Sequence, residues 1–319
     1  MKILVCRFSS IGDIILTSPV LRCLATQTNA DVHFLTKKKH ACIIEDNPHI
    51  SKLFLFEKNF FSLIKLLRQE DYDYVIDLHK NVRTFFLKLL LGVKSSSYHK
   101  ANIEKFLLIN FGVNVIKKKH VVDAYFESTN KLGVQNDHSG LDYFISPRTS
   151  LAYVSKKPFV VWCIGGSNEN KKNSDEQIVK VCDKISLRVL LLGDQHDRSL
   201  GSSVVKKSIK KNVLNFCGKL SLDESALLIK ESCFVLSGDN GLMHIASAFN
   251  KPIASFWGCT QPILGFEPYM PNKNSKKITT EPQIKPCSRH GSYCRKTKTG
   301  CVKEISPEKI LAALPDLLF

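Results

Sequence analysis

Short apolar runs that stop at polar residues alternate with stretches of helical apolar spacing along most of the chain. Lys2–Phe8 reads as a first strand, and Asp13–Leu24 follows with the spacing of a helix. Asp31–Leu35 and Tyr74–Leu78 are strand-like, with a helical Phe60–Leu67 between them. Asn81–Leu91 is apolar, interrupted by Arg83 and Lys88, and a further helix is predicted over Val121–Leu132. Around Ser146–Pro158 the pattern breaks into Pro, Ser, Thr and Lys, which marks an interdomain linker. The alternation then resumes with strands at Phe159–Ile164, Val189–Leu192, Phe234–Ser237 and Ile253–Trp257. Helices are predicted at Asp175–Ile185, Leu222–Ser232 and Leu242–Phe249. Thr260–Lys303 reads as irregular, and Pro307–Leu314 as a closing helix. Repeated βα units with short connections predict an α/β protein with a doubly wound parallel sheet in each half, and domains at 1–150 and 151–319. In such sheets ligands sit beyond the carboxyl ends of the strands, so a cleft between the two halves is the expected site.

Composition narrows this only a little. The 319 residues are 44% hydrophobic and 24% charged, a globular balance. Met1-Lys-Ile-Leu-Val-Cys6 reads as a strand and not as a signal peptide, and no long apolar run spans a bilayer, so a soluble cytoplasmic protein is expected. The eleven cysteines are scattered and several lie inside apolar runs, as reduced core residues do. The formal charge of +17 is shared by both halves and favours phosphorylated ligands, anionic membrane surfaces or nucleic acid. None of the usual RNA- or DNA-binding signatures accompanies it, and the lysines are not interleaved with aromatics.

Three strand-to-helix turns carry candidate chemistry. In Phe234-Val-Leu-Ser-Gly-Asp-Asn-Gly-Leu-Met-His244 a strand enters a Gly-flanked turn and a helix starts at once, leaving free N–H groups at the positive end of the helix dipole, which suits a diphosphate. Asp239 is either a helix cap or an acceptor for a sugar hydroxyl, and His244 lies one turn into the helix. Ile164-Gly-Gly-Ser-Asn-Glu-Asn-Lys-Lys-Asn-Ser174 has neither Walker nor G-x-G-x-x-G spacing, yet Ser167 and Lys171 can hold a phosphate by hydroxyl and ammonium. Ser174 with Gln177 forms a capping box for the next helix. The first loop, with Ser9, Ser10, Gly12 and Asp13, places hydroxyls and a carboxylate where Asp13 can act as a general base or as a cap.

Ser9-Ser-Ile-Gly-Asp13, Gly218-Lys-Leu-Ser-Leu222, Asp239-Asn-Gly-Leu-Met-His-Ile-Ala246 and Pro252-Ile-Ala-Ser-Phe-Trp-Gly258 together resemble the ADP-heptose:lipopolysaccharide heptosyltransferases, glycosyltransferase family 9, over nearly the whole chain. The resemblance implies a GT-B architecture of two Rossmann-like domains facing across a cleft, with acceptor bound by the N-terminal domain and donor by the C-terminal one. It implies metal-independent inverting transfer of a heptose or related sugar from an ADP-sugar to a lipopolysaccharide core or other surface glycan, with no cofactor. By the same resemblance Asp13 is the catalytic base, with Ser9, Ser10 and Gly12 on the acceptor side. Ser167 and Lys171 meet the donor phosphates, Asp239, Asn240, Gly241 and His244 form the donor loop, Asp197 falls at the ribose and Leu220 at the base. Two departures are Asn173-Ser174 where Trp-Pro is common, and Asn240 where Thr or Ser is usual.

Lys80 and Arg83, after the Tyr74–Leu78 strand, are candidates to meet an acidic acceptor. Val82–Val93 and Lys105–Val113 are apolar and basic, so they are either core helices or an inner-membrane contact surface. Cys287, His290, Cys294 and Cys301 are enough ligands for zinc in principle, but the gaps lack the C-x₂₋₄-C spacing, and a reduced surface loop without metal is the expectation. The competing readings are a same-fold transferase with another donor or acceptor, and a basic nucleic-acid-binding protein.

Overall fold

The computed structural model describes residues 1–117, 119–151, 157–280 and 285–319. Packing divides the chain into two compact units, Met1–Ala101 with Lys119–Ser146, and Asn102–Lys118 with Pro147–Phe319. Part of the linker expected at Ser146–Pro158, residues 152–156, lies outside the described residues.

The first unit runs β1 (Lys2–Cys6), α1 (Ile11–Ile15), α2 (Ser18–Thr28), β2 (Asp31–Lys37), β3 (Lys52–Phe56), α3 (Phe60–Arg68), β4 (Tyr74–Asp77), α4 (Val82–Leu91) and β5 (Lys94–Ser97). α5 (Asn102–Phe111) belongs by its packing to the second unit, and α6 (Val121–Phe126) returns to the first. All pairings in the first sheet are parallel, in the order β3-β2-β1-β4-β5. Chain direction across the sheet reverses between β1 and β4, so the loops after those two strands flank the position where a doubly wound sheet binds ligands.

The second unit continues with β6 (Phe159–Cys163), α7 (Asp175–Cys182), β7 (Arg188–Leu192), α8 (Arg198–Lys207), β8 (Val213–Asn215), α9 (Leu222–Glu231), β9 (Phe234–Gly238), α10 (Gly241–Ala248), β10 (Ile253–Trp257), β11 (Lys276–Thr279) and α11 (Pro307–Ala312). Its parallel sheet has the order β11-β10-β9-β6-β7-β8, with the reversal between β6 and β9. β6, β9 and β10 are buried at every position, as strands covered by helices on both faces must be. Trp162 stacks on Phe256 at 5.7 Å between ring centroids, within that core.

The differences from the sequence pattern have local causes. The single helix expected over Asp13–Leu24 is two, because Pro19 opens α2 and has no N–H to continue the preceding turn. The expected Val121–Leu132 helix tightens to a 3₁₀ turn at Glu127–Leu132 and stops at Gly133, whose φ of 71° is left-handed. Thr260–Lys303 is not wholly irregular, since β11 adds a strand beside β10. The Ser174–Gln177 capping box forms as expected, with Ser174 N–H donating to Gln177 Oε1 at 2.8 Å and Gln177 N–H to Ser174 Oγ at 3.2 Å.

Candidate active site

In the first unit the loop leaving β1 is organised by Arg7. Its buried guanidinium donates to the carbonyls of Ser9 (2.7 Å) and Leu78 (2.5 Å) and pairs with Asp13 Oδ2 at 2.8 Å, joining the β1 and β4 loops. Asp13, in the first turn of α1, also accepts from the N–H and hydroxyl of Ser10, at 3.1 and 2.8 Å. It is thus a helix-start acceptor as well as a base candidate, and its side chain keeps 22% of its exposure. Burial alone would raise its pKa, but the Arg7 charge and the Ser10 hydrogen bonds outweigh this and hold it at about 2. Of the other residues expected there, Ser9 is half-buried, Ser10 exposed and Gly12 buried.

The β4 loop is held by a buried carboxylate. Asp77 Oδ1 accepts from the N–H groups of His79 (3.0 Å) and Lys80 (2.7 Å), and its other oxygen pairs with Lys88 at 3.1 Å. This Asx turn lets Lys80 take a left-handed φ of 50°. Lys80 is exposed but its ammonium donates to the Tyr98 carbonyl at 3.1 Å, and the Arg83 guanidinium lies over the rings of Phe56 and Phe8 at 4.9 and 5.6 Å. Two groups not singled out from the sequence belong here. His79 is half-buried, edge-on to Phe8, and its pKa is pushed down to about 4, first by burial and then by the Arg7 and Lys100 charges, so it is neutral at physiological pH. Lys100 reaches the His79 carbonyl at 2.9 Å. Arg7, two residues before the Ser9-Ser10 pair, was the available sequence signal; Lys100 had none.

In the second unit the loops after β6 and β9 meet. Lys171 Nζ lies 2.7 Å from Asp239 Oδ2 and 3.4 Å from the Asp239 carbonyl, the two side chains 12% and 13% exposed. The contact needs Gly238, where an added Cβ would lie 2.7 Å from the Lys171 carbonyl oxygen. Gly238→Ala should therefore displace the Lys171 loop and cost about 1–3 kcal/mol of stability, read as a lowered thermal midpoint; an unchanged midpoint would contradict the packing described.

Asn240 is the N-cap of α10. Its Oδ1 accepts from Met243 N–H at 3.1 Å and its amide donates to the Gly165 carbonyl at 2.8 Å, so it ties the two loops together. Gly241 starts the helix and is half-buried, whereas His244, a turn further on, is 3% exposed. Ser167 is exposed on the β6 loop.

Asp197, expected at the ribose, ends the short 3₁₀ turn Gln195–Asp197 that follows β7. It is 2% exposed, accepts from Asp194 N–H at 2.9 Å, and pairs with buried Lys172 at 2.9 Å. Its carboxylate fills the space that side chains at Gly165 and Gly193 would occupy. The residues that the β7 loop exposes to solvent are Asp194, Gln195 and His196. Leu220, expected at the base, precedes the Ser221 cap of α9 and is half-buried.

The Cys-rich tail also departs from expectation, because its thiols are not on a surface loop. Cys287 and Cys301 are buried and gather with Cys294 and Cys259, a residue not anticipated from sequence, in place of His290.

Two doubly wound parallel-sheet units, each with polar and charged groups at its topological switch point, match the GT-B architecture. The family model of glycosyltransferase family 9 (heptosyltransferase) matches residues 60–297, and the chain belongs to that family. It is 23% identical to the lipopolysaccharide heptosyltransferase 1 of Campylobacter coli, over 82% of this chain and 84% of that one. The glycosyltransferase family 9 structure from Veillonella parvula superposes with a TM-score of 0.76 at 22% identity, covering 98% and 95% of the two chains. The Escherichia coli heptosyltransferase WaaC with ADP superposes with a TM-score of 0.70 at 18% identity, covering 97% and 98%. Among the described residues no helix is long and apolar enough to cross a membrane.

Proposed function

We propose that the chain is an inverting transferase that moves a heptose from an ADP-sugar to a lipopolysaccharide-core acceptor. The first unit, the N-terminal domain, binds the acceptor, and the second, C-terminal one binds the donor. The observation that carries the reading is the Lys171–Asp239 pair beside the start of α10, at the switch point of the second sheet. The acceptor hydroxyl attacks the anomeric carbon from the face opposite the leaving group and its proton passes to Asp13. The bond to the diphosphate breaks and its electron pair leaves with the nucleotide. Lys171, Ser167 and the N–H groups of the Asp239–Gly241 loop stabilise the charge that develops there. Asn240 takes part by fixing that loop against Gly165, with His244 in the helix that the loop opens, while Leu220 meets the base and Asp197 the ribose. Lys80 and Arg83, with the Ser9-Ser10-Gly12 turn, supply the basic and polar surface for an acidic acceptor. The names of the relatives, lipopolysaccharide heptosyltransferases and WaaC with ADP, support ADP-heptose as donor.

Thermal-shift measurement against ADP, UDP and GDP tests the donor side. A nucleotide at a hundred times its Kd should stabilise the chain by about 2.7 kcal/mol, with ADP ahead of the others. No shift with any of the three would remove the reading. Product analysis with ADP-heptose and a heptose-deficient core then tests the acceptor.

The same reading places the first unit at the inner face of the cytoplasmic membrane. On α4, Val82, Phe85, Phe86 and Leu89 are exposed at helical spacing (72%, 59%, 48% and 64%), with the exposed Arg83 beside them. Such an apolar stripe on a basic unit suits an anionic lipid surface. Phe85→Ser with Leu89→Ser should reduce co-sedimentation with phosphatidylglycerol vesicles more than tenfold without changing ADP affinity; equal sedimentation would exclude this contact.

A further inference from the structure

We infer that Cys259, Cys287, Cys294 and Cys301 form a tetrathiolate site for one zinc-class metal ion, Zn²⁺ or Fe²⁺. The four sulfurs all lie within 4.8 Å of one another, and three of the separations are 4.0 Å (Cys287–Cys294), 3.8 Å (Cys287–Cys301) and 3.3 Å (Cys294–Cys301). A tetrahedron of sulfurs around an ion with metal–sulfur bonds of about 2.3 Å has edges of about 3.8 Å. The observed spacing is therefore that of a coordination sphere, while the thiols are all free. Four converging sulfurs and no carboxylate or imidazole select soft, tetrahedral ions over magnesium, calcium or manganese.

The surroundings point the same way. The core of this region consists of the four cysteines, with no aliphatic side chain among them. The segment 285–303 has Lys285, Arg289, Arg295, Lys296, Lys298 and Lys303 and no acidic residue. A divalent ion bound by four thiolates carries a net double negative charge, opposite in sign to the excess charge of this segment. The backbone is shaped for the cluster as well. The N–H of Cys287 donates to the Cys259 carbonyl at 2.9 Å, which draws the two segments together, and that of Thr297 donates to Cys294 Sγ at 3.3 Å, as N–H groups do around bound thiolates. Gly258 lets the β10 end approach the Cys301 segment, where an added Cβ would stand 2.6 Å from Val302 N.

The loop held in this way touches the donor side. Asn168 and Asn170 donate to the carbonyls of His290 (2.8 Å) and Gly291 (3.0 Å), and a Cβ on Gly291 would lie 2.8 Å from Lys171 Cγ. Arg295 grips the end of α5 through the Ile109 carbonyl and the Asn110 side chain, each at 2.8 Å. The ion thus positions the Lys171 loop without touching substrate. This second role rests on the donor reading above; occupancy of the site does not.

The test is elemental analysis of the full chain purified without chelator under reducing conditions, with Zn²⁺ and Fe²⁺ both supplied. One equivalent of zinc or iron per chain is expected, and Co²⁺ exchange should give the strong visible absorption of a tetrahedral thiolate site. Cys287→Ser and Cys301→Ser should lose the ion, and Cys233→Ser, outside the cluster, should keep it. Should the serine variants fail to fold, a mercurial titration of the wild-type chain should release the ion in step with four thiols. Less than a tenth of an equivalent of any metal, or cysteines paired as disulfides by intact mass, would overturn the site. Removing the ion with a chelator should weaken ADP binding about tenfold; unchanged affinity in a chain shown to have lost its metal would overturn the positioning role alone.

Discussion

Lys171→Ala should lower kcat by roughly 10²–10³, the usual cost of removing one preorganised donor from a developing negative charge. The structure adds a second expectation. Lys171 is the ion partner of Asp239, both side chains being nearly enclosed, so the alanine variant leaves a carboxylate facing the place proposed for a diphosphate. ADP affinity should therefore fall further than the loss of one hydrogen bond explains, by an added repulsion that Asp239→Ala relieves. In a double-mutant cycle read by calorimetry, Lys171→Ala/Asp239→Ala should bind ADP more tightly than Lys171→Ala alone. A Lys171→Ala protein with kcat within threefold of wild type would sink the assignment of the donor site.

Asp13→Asn should be the other severe variant, with kcat reduced roughly 10²–10⁴-fold as for loss of a positioned base. The carboxylate is held at about pKa 2 by Arg7 and Ser10 against the effect of burial, so it is ionised wherever the protein is folded and active. Its strength as a free base is low, and it takes the proton only as the acceptor hydroxyl becomes acidic during attack. The folded pKa lies below the ordinary value of about 3.9, so the pair's stabilisation is fully present above that value and is lost as pH falls toward 2. For a partly exposed group this is on the order of 2 kcal/mol. The stability difference between wild type and Asp13→Asn, from denaturant unfolding, should be constant from pH 7 to about pH 5 and shrink below pH 4. His79, held down to about 4, titrates in the same acid range. kcat/KM should accordingly show no limb from either group between pH 5 and 8, and a limb near pH 6 that His79→Gln abolishes would contradict the neutral imidazole.

The central strands of both sheets were legible because they are buried on two faces and read as unbroken apolar runs: Lys2–Cys6, Phe159–Cys163, Phe234–Gly238 and Ile253–Trp257. The strands not singled out from the pattern are β3, β5, β8 and β11, and these are the four sheet edges, of which β3 alone carries an apolar run, Leu53–Phe56. Edge strands are half-solvated, so Lys94-Ser-Ser-Ser97 needs no apolar pattern. It is a strand because β4 pairs with it and because Ser96 bonds to the Ser128 carbonyl.

The candidate site divides in the same way. Sequence alone determined that Asp13, Ser167, Lys171 and the Asp239–Gly241 segment lie in strand-to-helix turns, because each follows an apolar run and precedes helical spacing, while it left helix capping open at Asp13 and Asp239. Only the tertiary structure decided that Lys171 reaches Asp239, that Asn240 ties its loop to Gly165, and that Asp197 is enclosed with Lys172. It alone brought Cys259 to three thiols that follow it by 28 to 42 positions in the chain. Local spacing records what a residue's neighbours in sequence need. Which distant side chains share a buried volume is settled by the packing of strands and loops that no single segment contains.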